Sequence, residues 1–569
     1  MTKQAQAIVQ LLSLLGILVA LNYAGNSRLG KTPLYGQLDL TEEKRFTLSP
    51  ATRNMLYQLE DAVDVAILLE GDFPAGFKRL QTAAVELIED FQAISPYIQY
   101  RFDNPNEGNT EQINQRREEL AKDNILPTRL TVNSNNERSQ QYIYPWAVFY
   151  YKGRSLKVNL LENDIPGQDQ ELVLNNSVAL LEYKFANAIQ KLQTVLRPVV
   201  AFTSGHGELN PLETADLEKS LREHYDTGRL NLDSTVAISP DLDVLVVAKP
   251  QTAFSEKDKF KIDQYIMNGG KVLWLIDRIN VSLDSLRGKE YMPLDYETDL
   301  EDLFFNYGFR IQPNLVLDLQ NSRIPLATSM MGNQPQFEYF SYPYHLVVTP
   351  GERHAISRGV GPVNLLYSSS IDTTVQVKTP IRKTVLLEST AKTMLQYLPL
   401  EMNFRFLEYE PDPERYNKSV QPLALLLEGV FPSLYRNRVT ESMLQGLAEL
   451  DIPFRKESEP GAMVVVADGD IAKNFVPPGQ NRYDPLGYNP FEKFTFSNKD
   501  FLLNAIEYLI DEQGIIEARN KEVKLRLLDA TRLMAEKRQW QLLNLLLPLV
   551  SLIAFGLGYH FLRKRKYAR

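Results

Sequence analysis

Two long stretches without a charge, one near each end of the chain, constrain this sequence more than any other feature. From Gln4 to Ser27 no residue is charged, and Ala5 to Ala24 is dominated by Leu, Ile and Val. Twenty residues at ~1.5 Å each cross a hydrocarbon core of roughly 30 Å. Lys3 is the only charge before this run, and Asn22-Tyr23-Ala24 is a poor small-x-small cleavage site, so an uncleaved anchor is expected over a signal peptide. Leu542 to Leu562 is the second uncharged stretch, preceded by Trp540 and closed by Arg563, Lys564, Arg565, Lys566 and Arg569. Pro548 is tolerable inside a spanning helix, and Trp540 and Tyr559 stand where interfacial aromatics belong.

The cationic tail predicts a cytoplasmic C-terminus, and two spans then place both termini in the cytoplasm. Setting aside Lys3 and the five tail cations, the net charge of −9 becomes −15 on residues 28–541, the part expected outside the cytoplasm. Such an acidic middle disfavours nucleic acid as a partner and disfavours adhesion to anionic lipid. Its 44% hydrophobic content excludes a disordered chain. With zero cysteines there is no disulfide, thiolate metal site, cysteine nucleophile or lipidated cysteine.

The pattern along the chain predicts an anchor over 1–27, an α+β domain over 28–195, an α/β domain over 196–513, a helical stalk over 514–541, a membrane helix over 542–562 and a basic tail over 563–569. In the first domain Ser49-Pro50 starts a helix, Val63 to Leu69 reads as a strand, and helices are expected over Phe77–Ile94, Glu111–Lys122 and Glu171–Leu192. Strands are expected at Tyr97–Phe102, Arg129–Val132, Tyr142–Tyr151 and Arg154–Leu160, an order similar to a thioredoxin-like fold. Beyond Arg197, near-continuous apolar runs such as Val199–Phe202, Val244–Ala248, Val272–Ile276, Leu423–Leu427 and Met463–Val466 read as strands covered on both faces. That predicts a doubly wound, mainly parallel sheet of flavodoxin- or amidotransferase-like type with an elaborated middle.

The chemistry inventory is narrow. The five histidines are His206, His224, His345, His354 and His560, and no pair has metalloprotease spacing. No GxxxxGK[ST] loop occurs, Gly359-Val360-Gly361-Pro362-Val363-Asn364 lacks the third glycine of a dinucleotide loop, and GxSxG is absent. No cofactor, metal or catalytic residue is therefore expected. Loops at the carboxyl ends of parallel strands line the crevice of such sheets. The candidate ligand-binding residues are accordingly Gly205, His206, Gly207 and Glu208, with Asp277, Asp468 and Asp470. Their bland reading is as turn formers and helix starts.

The two terminal spans, Arg45-Phe46-Thr47-Leu48-Ser49, Ser204-Gly205-His206-Gly207-Glu208, Val464 to Asp470, and Asn498 with Phe501-Leu502-Leu503-Asn504 occur in an order that resembles the GldG family over essentially the whole chain. That family comprises auxiliary subunits of ABC-transporter-like complexes associated with gliding motility in Bacteroidota. The resemblance implies an inner-membrane protein with a large periplasmic domain, a GldF-like permease and a GldA-like cytoplasmic ATPase as partners, and no enzymatic activity of its own. It also implies a distant similarity of the α/β domain to a GIFT-type domain of an intraflagellar transport subunit, and hence a periplasmic glycan as ligand; a peptide is the other candidate. Coupling to such partners would run through the spans, with Gly16, Trp540, Gly556 and Gly558 as packing positions.

Overall fold

The computed structural model of the chain describes residues 47–567 apart from 72, 135–136, 163–169, 195, 288–289, 332–333, 410, 478 and 521–529, with a few short stretches before residue 47. The first expected span and Arg45-Phe46 fall almost entirely outside the described residues. Gly16 is described, helical and exposed, with nothing within 4 Å of where a β-carbon would stand. Two compact units divide the chain, Met1–Glu522 and Val523–Arg569.

In the first unit a minimal antiparallel pair, Arg28–Leu29 with Thr32–Pro33, precedes helix α1 (Pro50–Tyr57), whose cap Ser49 accepts the Thr52 N–H. Strand β1 (Val63–Ile67), helix α2 (Ala75–Ile94) and strand β2 (Ile98–Phe102) follow, with β1 and β2 parallel. Asn109 and Gln112 exchange bonds in a capping box at the start of α3 (Thr110–Lys122). A separate hairpin, β3 (Thr128–Ser134) and β4 (Glu137–Ile143), precedes β5 (Trp146–Tyr151) and β6 (Arg154–Asn159). The strand expected over Tyr142–Tyr151 is thus broken at Pro145, which has no N–H for a ladder. The sheet order is β2-β1-β5-β6, with β5 antiparallel to both neighbours. Helices α4 (Gln170–Ala179) and α5 (Leu181–Gln193) replace the single helix expected there.

A larger sheet follows. Its elements are β7 (Val199–Ser204), α6 (Ala215–Leu221), β8 (Asp226–Asn231), β9 (Val244–Ala248), α7 (Glu256–Met267) and β10 (Lys271–Leu275). Helix α8 (Glu301–Asn306) leads to β11 (Asn314–Asp318), the long hairpin β12 (Asn321–Met331) and β13 (Gln334–Val348), and β14 (Val363–Leu366). Then come β15 (Ile381–Glu388), β16 (Thr393–Tyr397), β17 (Pro422–Gly429), α9 (Glu441–Ala448), β18 (Gly461–Val466) and α10 (Asn498–Ile510). Seven strands form one sheet in the order β8-β7-β9-β10-β18-β17-β15. The five from β8 to β18 run parallel, while β17 and β15 finish one edge antiparallel.

Both faces of this sheet are covered, which explains its uninterrupted apolar strands. Val244, Val246, Leu273 and Leu275 pack on one face with Phe501 and Leu502 of α10. Leu245, Val247, Val272 and Trp274 pack on the other with Ile262 and Ile266 of α7. Each such side chain contributes about 1.5–3 kcal/mol on full burial. Two further apolar runs, Leu315–Leu317 and Val363–Leu366, also form strands but lie outside this sheet: β11 pairs antiparallel with β16, and β14 with β13.

The segment expected to begin a stalk instead forms a 3-10 turn, Ile515–Asn520. Its Ile515, Ile516 and Ala518 are buried in the core beneath β1, β5 and α5. Between α5 and α10 the Glu507 carboxylate receives Tyr183 Oη at 2.6 Å and Lys191 Nζ at 3.1 Å. Arg519 lies over the Tyr183 ring and donates to Asn504 Oδ1.

The second unit is α11 (Ala530–Tyr567). The 32-residue helix Glu536–Tyr567 contains an 18-residue window of mean hydropathy 2.0, long and apolar enough to cross a membrane, and none of that window is buried. Trp540 is exposed, and Gly556 and Gly558 have nothing within 4 Å of their β-carbon positions.

Candidate functional site at the carboxyl ends of the parallel strands

Strand β9 ends in Lys249, whose N–H still donates to Leu275 O of β10 although its φ is +55°. A left-handed backbone at a non-glycine residue is uncommon and marks a position held by its surroundings. Those surroundings are ionic. Lys249 Nζ lies 2.9 Å from Asp277 Oδ2, just after β10, and 2.6 Å from Asp470 Oδ1, just after β18, with all three side chains at or below 10% exposure. Asp277 Oδ1 accepts the Gly469 N–H, and Asp468 accepts the Asp470 N–H at 2.7 Å and the Leu366 N–H of β14 at 2.7 Å. The turn Asp468-Gly469-Asp470 thus clamps β9, β10, β14 and β18 together.

Burial pulls the Lys249 ammonium down, but the Asp277 and Asp470 carboxylates outweigh it and hold it firmly charged. Burial raises Asp277, with Lys249 opposing and Asp470 adding to the rise. Asp468 is pushed well above the usual carboxylate range by burial and by the charges of Asp277 and Asp470. Three carboxylates around one ammonium occupy the place where a parallel sheet ordinarily offers a crevice.

One strand over, β7 runs into Gly205 and Gly207, both left-handed at φ +116° and +75°. Only glycine takes such values cheaply, and the turn they allow carries His206 inward. The ring stacks on Phe254 at 3.8 Å between centroids and 4° between planes. Its Nε2 is 3.4 Å from Asp258 Oδ2 in the first turn of α7, and its Nδ1 is 3.8 Å from Glu208 Oε1. Ser255, the cap of α7, donates to Asp258 Oδ2 at 2.6 Å, and Lys261 pairs with Asp258 Oδ1 at 2.7 Å. Burial draws the imidazole down, yet Glu208, Asp258 and Asp233 together hold it above its ordinary range. Burial raises the Glu208 carboxyl, but the facing His206 imidazole and the backbone N–H groups that donate to it, that of His206 at 2.7 Å among them, more than offset it.

The seven candidate residues therefore occupy two clusters along one edge of the sheet. Gly205, His206, Gly207 and Glu208 gather around Asp258, whereas Asp277, Asp468 and Asp470 gather around Lys249. Sequence reasoning missed Lys249, Asp233, Phe254 and Asp258. A lysine directly after a doubly covered strand and before Pro250 is the one local signal that could have pointed to the first of them.

Sheets, covering helices and α11 together define a mixed α/β protein with one C-terminal helix long and apolar enough to cross a membrane. A family model described as an ABC-type uncharacterized transport system matches residues 197–505, more than half the chain. The chain belongs to this family of auxiliary components of ABC transport systems, and its α11 marks it as membrane-anchored. A second model, for a domain of unknown function, matches residues 42–150. The search of curated proteins finds no match.

Among solved structures, the mmIFT52 N-terminal domain aligns at 12% identity and TM-score 0.30, over 55% of this chain and 97% of that one. A putative thua-like protein from Parabacteroides merdae ATCC 43184 aligns at 8% identity and TM-score 0.26, over 59% and 94%. The exo-beta-1,4-mannosidase Op5Man5 from Opitutaceae bacterium strain TAV5 aligns at 12% and 0.18, over 69% and 51%. At such TM-scores none of these likenesses carries a fold or a function to this chain.

Proposed function

We propose that the chain is a non-enzymatic, extracytoplasmic arm of an ABC-transporter-like complex associated with gliding motility, anchored in the inner membrane at both ends. Its partners are a GldF-like permease and a GldA-like ATPase, and ATP-driven change in them reaches the periplasm through contacts with its spans. The observation that carries this reading is the bare apolar helix Glu536–Tyr567 on a chain of the auxiliary family. The groups around Lys249 support it: they are spent on one another, which suits a rigid interaction module better than catalysis. The sheet order β2-β1-β5-β6 with β5 reversed supports a thioredoxin-like first domain. The doubly covered parallel strands support a flavodoxin- or amidotransferase-like second one.

Mild solubilisation of native membranes followed by purification of the full chain tests the reading. A polytopic permease and an ATPase should accompany it, and should be lost when α11 is replaced by an unrelated span. Recovery of the chain alone, or unchanged recovery with the replaced span, overturns it.

A second reading, glycan or peptide binding, is favoured by one concavity away from the strand ends. A cavity of about 740 Å³ is walled by Tyr344, Phe406, Tyr409 and Tyr416 beside Asp412 and Arg415. Aromatic faces with a few polar groups are the composition of a small-ligand site. Calorimetric titration with cell-wall fragments, with Tyr409→Ala as control, separates the two readings.

A further inference from the structure

We propose that His206, Asp258 and Asp233 form a binding site for a divalent first-row transition metal, with Zn²⁺ as its natural probe. Each residue offers one ligand atom, and the three atoms lie within 4.8 Å of one another.

Three geometric observations converge on this. His206 Nε2 and Asp258 Oδ2 are 3.4 Å apart. Two ligands at about 2.0–2.1 Å from a tetrahedral Zn²⁺ are themselves about 3.3–3.4 Å apart, so the pair already stands at the spacing a shared ion imposes. On the far side of the ring, His206 Nδ1 and Glu208 Oε1 are both buried, face each other at 3.8 Å and have no hydrogen-bond partner. That is the arrangement of a metal-binding histidine whose second nitrogen is oriented by a carboxylate, and a small closure would complete it. Stacking on Phe254 fixes the ring plane.

Charge points the same way. Asp233, Asp258 and Glu208 against the single ammonium of Lys261 leave two negative charges around the ring once an ion has displaced its proton, and a divalent ion balances them. Access exists as well. Asp233 is exposed, and its Oδ2 lies 3.1 Å from the β-carbon position of Gly205, so the glycine leaves the carboxylate room beside the loop. An ion can enter past Asp233 and keep water in its remaining position. Held there, it would tie the ends of β7 and β8 to the first turn of α7. One imidazole with carboxylate oxygens suits zinc or its first-row neighbours better than a thiolate-selecting or purely oxygen-selecting metal. No sequence motif announces the site because its ligands come from three separate elements.

The test uses the full chain in detergent, purified without a polyhistidine tag, stripped with chelator and titrated with Zn²⁺ by calorimetry and thermal melting. One ion per chain should bind with micromolar or tighter affinity and raise the melting temperature. Asp233→Asn, an exposed change, should melt as the stripped wild type does and lose at least tenfold in Zn²⁺ affinity. Glu208→Gln should weaken binding by about 10- to 100-fold. No saturable binding to the wild type, or equal affinity in Asp233→Asn, overturns the assignment.

Discussion

Gly469 and Lys249 meet so closely that a β-carbon on the glycine would stand 2.6 Å from Lys249 Cβ and 2.9 Å from its Cα. The clash is with backbone and with the root of a side chain already locked by two ion pairs, so neither can yield cheaply. Gly469→Ala should therefore destabilise the chain by about 1–3 kcal/mol. Urea unfolding would check this, and an unchanged midpoint would show that the turn is looser than its packing implies.

Removing the cation is worse. Lys249→Met leaves Asp277, Asp468 and Asp470 facing one another with only the half-exposed Lys473, 4.0 Å from Asp470 Oδ1, as counter-charge, a loss of about 3–5 kcal/mol for a broken buried pair. Asp277 and Asp468 have folded pKa values raised above their unfolded ones. A native state that binds the extra protons gains stability as pH falls toward the ordinary carboxylate value, so the defect should shrink on acidification. A defect that grows from pH 7 to pH 5 would contradict the arrangement.

His224 titrates in the opposite sense. Burial first, then the charges of Lys191 and Arg197, with Glu507 opposing, lower it to about 4 against about 6.5 when unfolded. The unfolded chain takes up the proton first, so the stability that depends on a neutral His224 is lost as pH falls below about 6.5 toward 4. His224→Gln should remove this component. The gap between variant and wild type in unfolding midpoint should then change in the variant's favour across that window.

Glu507→Gln addresses the joint between α5 and α10. The change removes the charge that receives Lys191 and Tyr183, hydrogen bonds of a kind worth about 1.5–3 kcal/mol in total loss. Hydrogen exchange should quicken in α5 and α10 while β9 and β10 stay protected. Uniform protection across all four would refute the assigned role.

A chain with zero cysteines permits background-free labelling of its topology. Ser442→Cys, in exposed α9, should react with a reagent that cannot cross the inner membrane, and Arg569→Cys should react only after the membrane is permeabilised. The reverse pattern would overturn the proposed orientation.

Elements announced by local chemistry are legible in the amino-acid order itself. Ser255 caps α7 as its position predicts, and the strand at Val244–Ala248 coincides with its apolar run. What escapes such reading is decided elsewhere in the chain. Strand β8, Asp226–Asn231, is an edge strand with no fully buried residue, so no apolar run marks it. The long hairpin β12–β13 carries Phe337 and Tyr339 in the open and likewise lacks a buried face to read along much of its length. The strand-end residues after β7, β10 and β18 are identifiable from topology alone. Lys249 and Asp258, which decide how those residues are used, are not, because each matters only through partners distant in sequence.

The knot of Lys249 with its aspartates has a mechanical meaning. A sheet whose mouth is filled by its own charges has no jaws to shut on a guest and no soft opening there to absorb a push. Sliding one of these strand ends past the next would separate opposite charges in the interior, so β9, β10 and β18 are held in register at that edge.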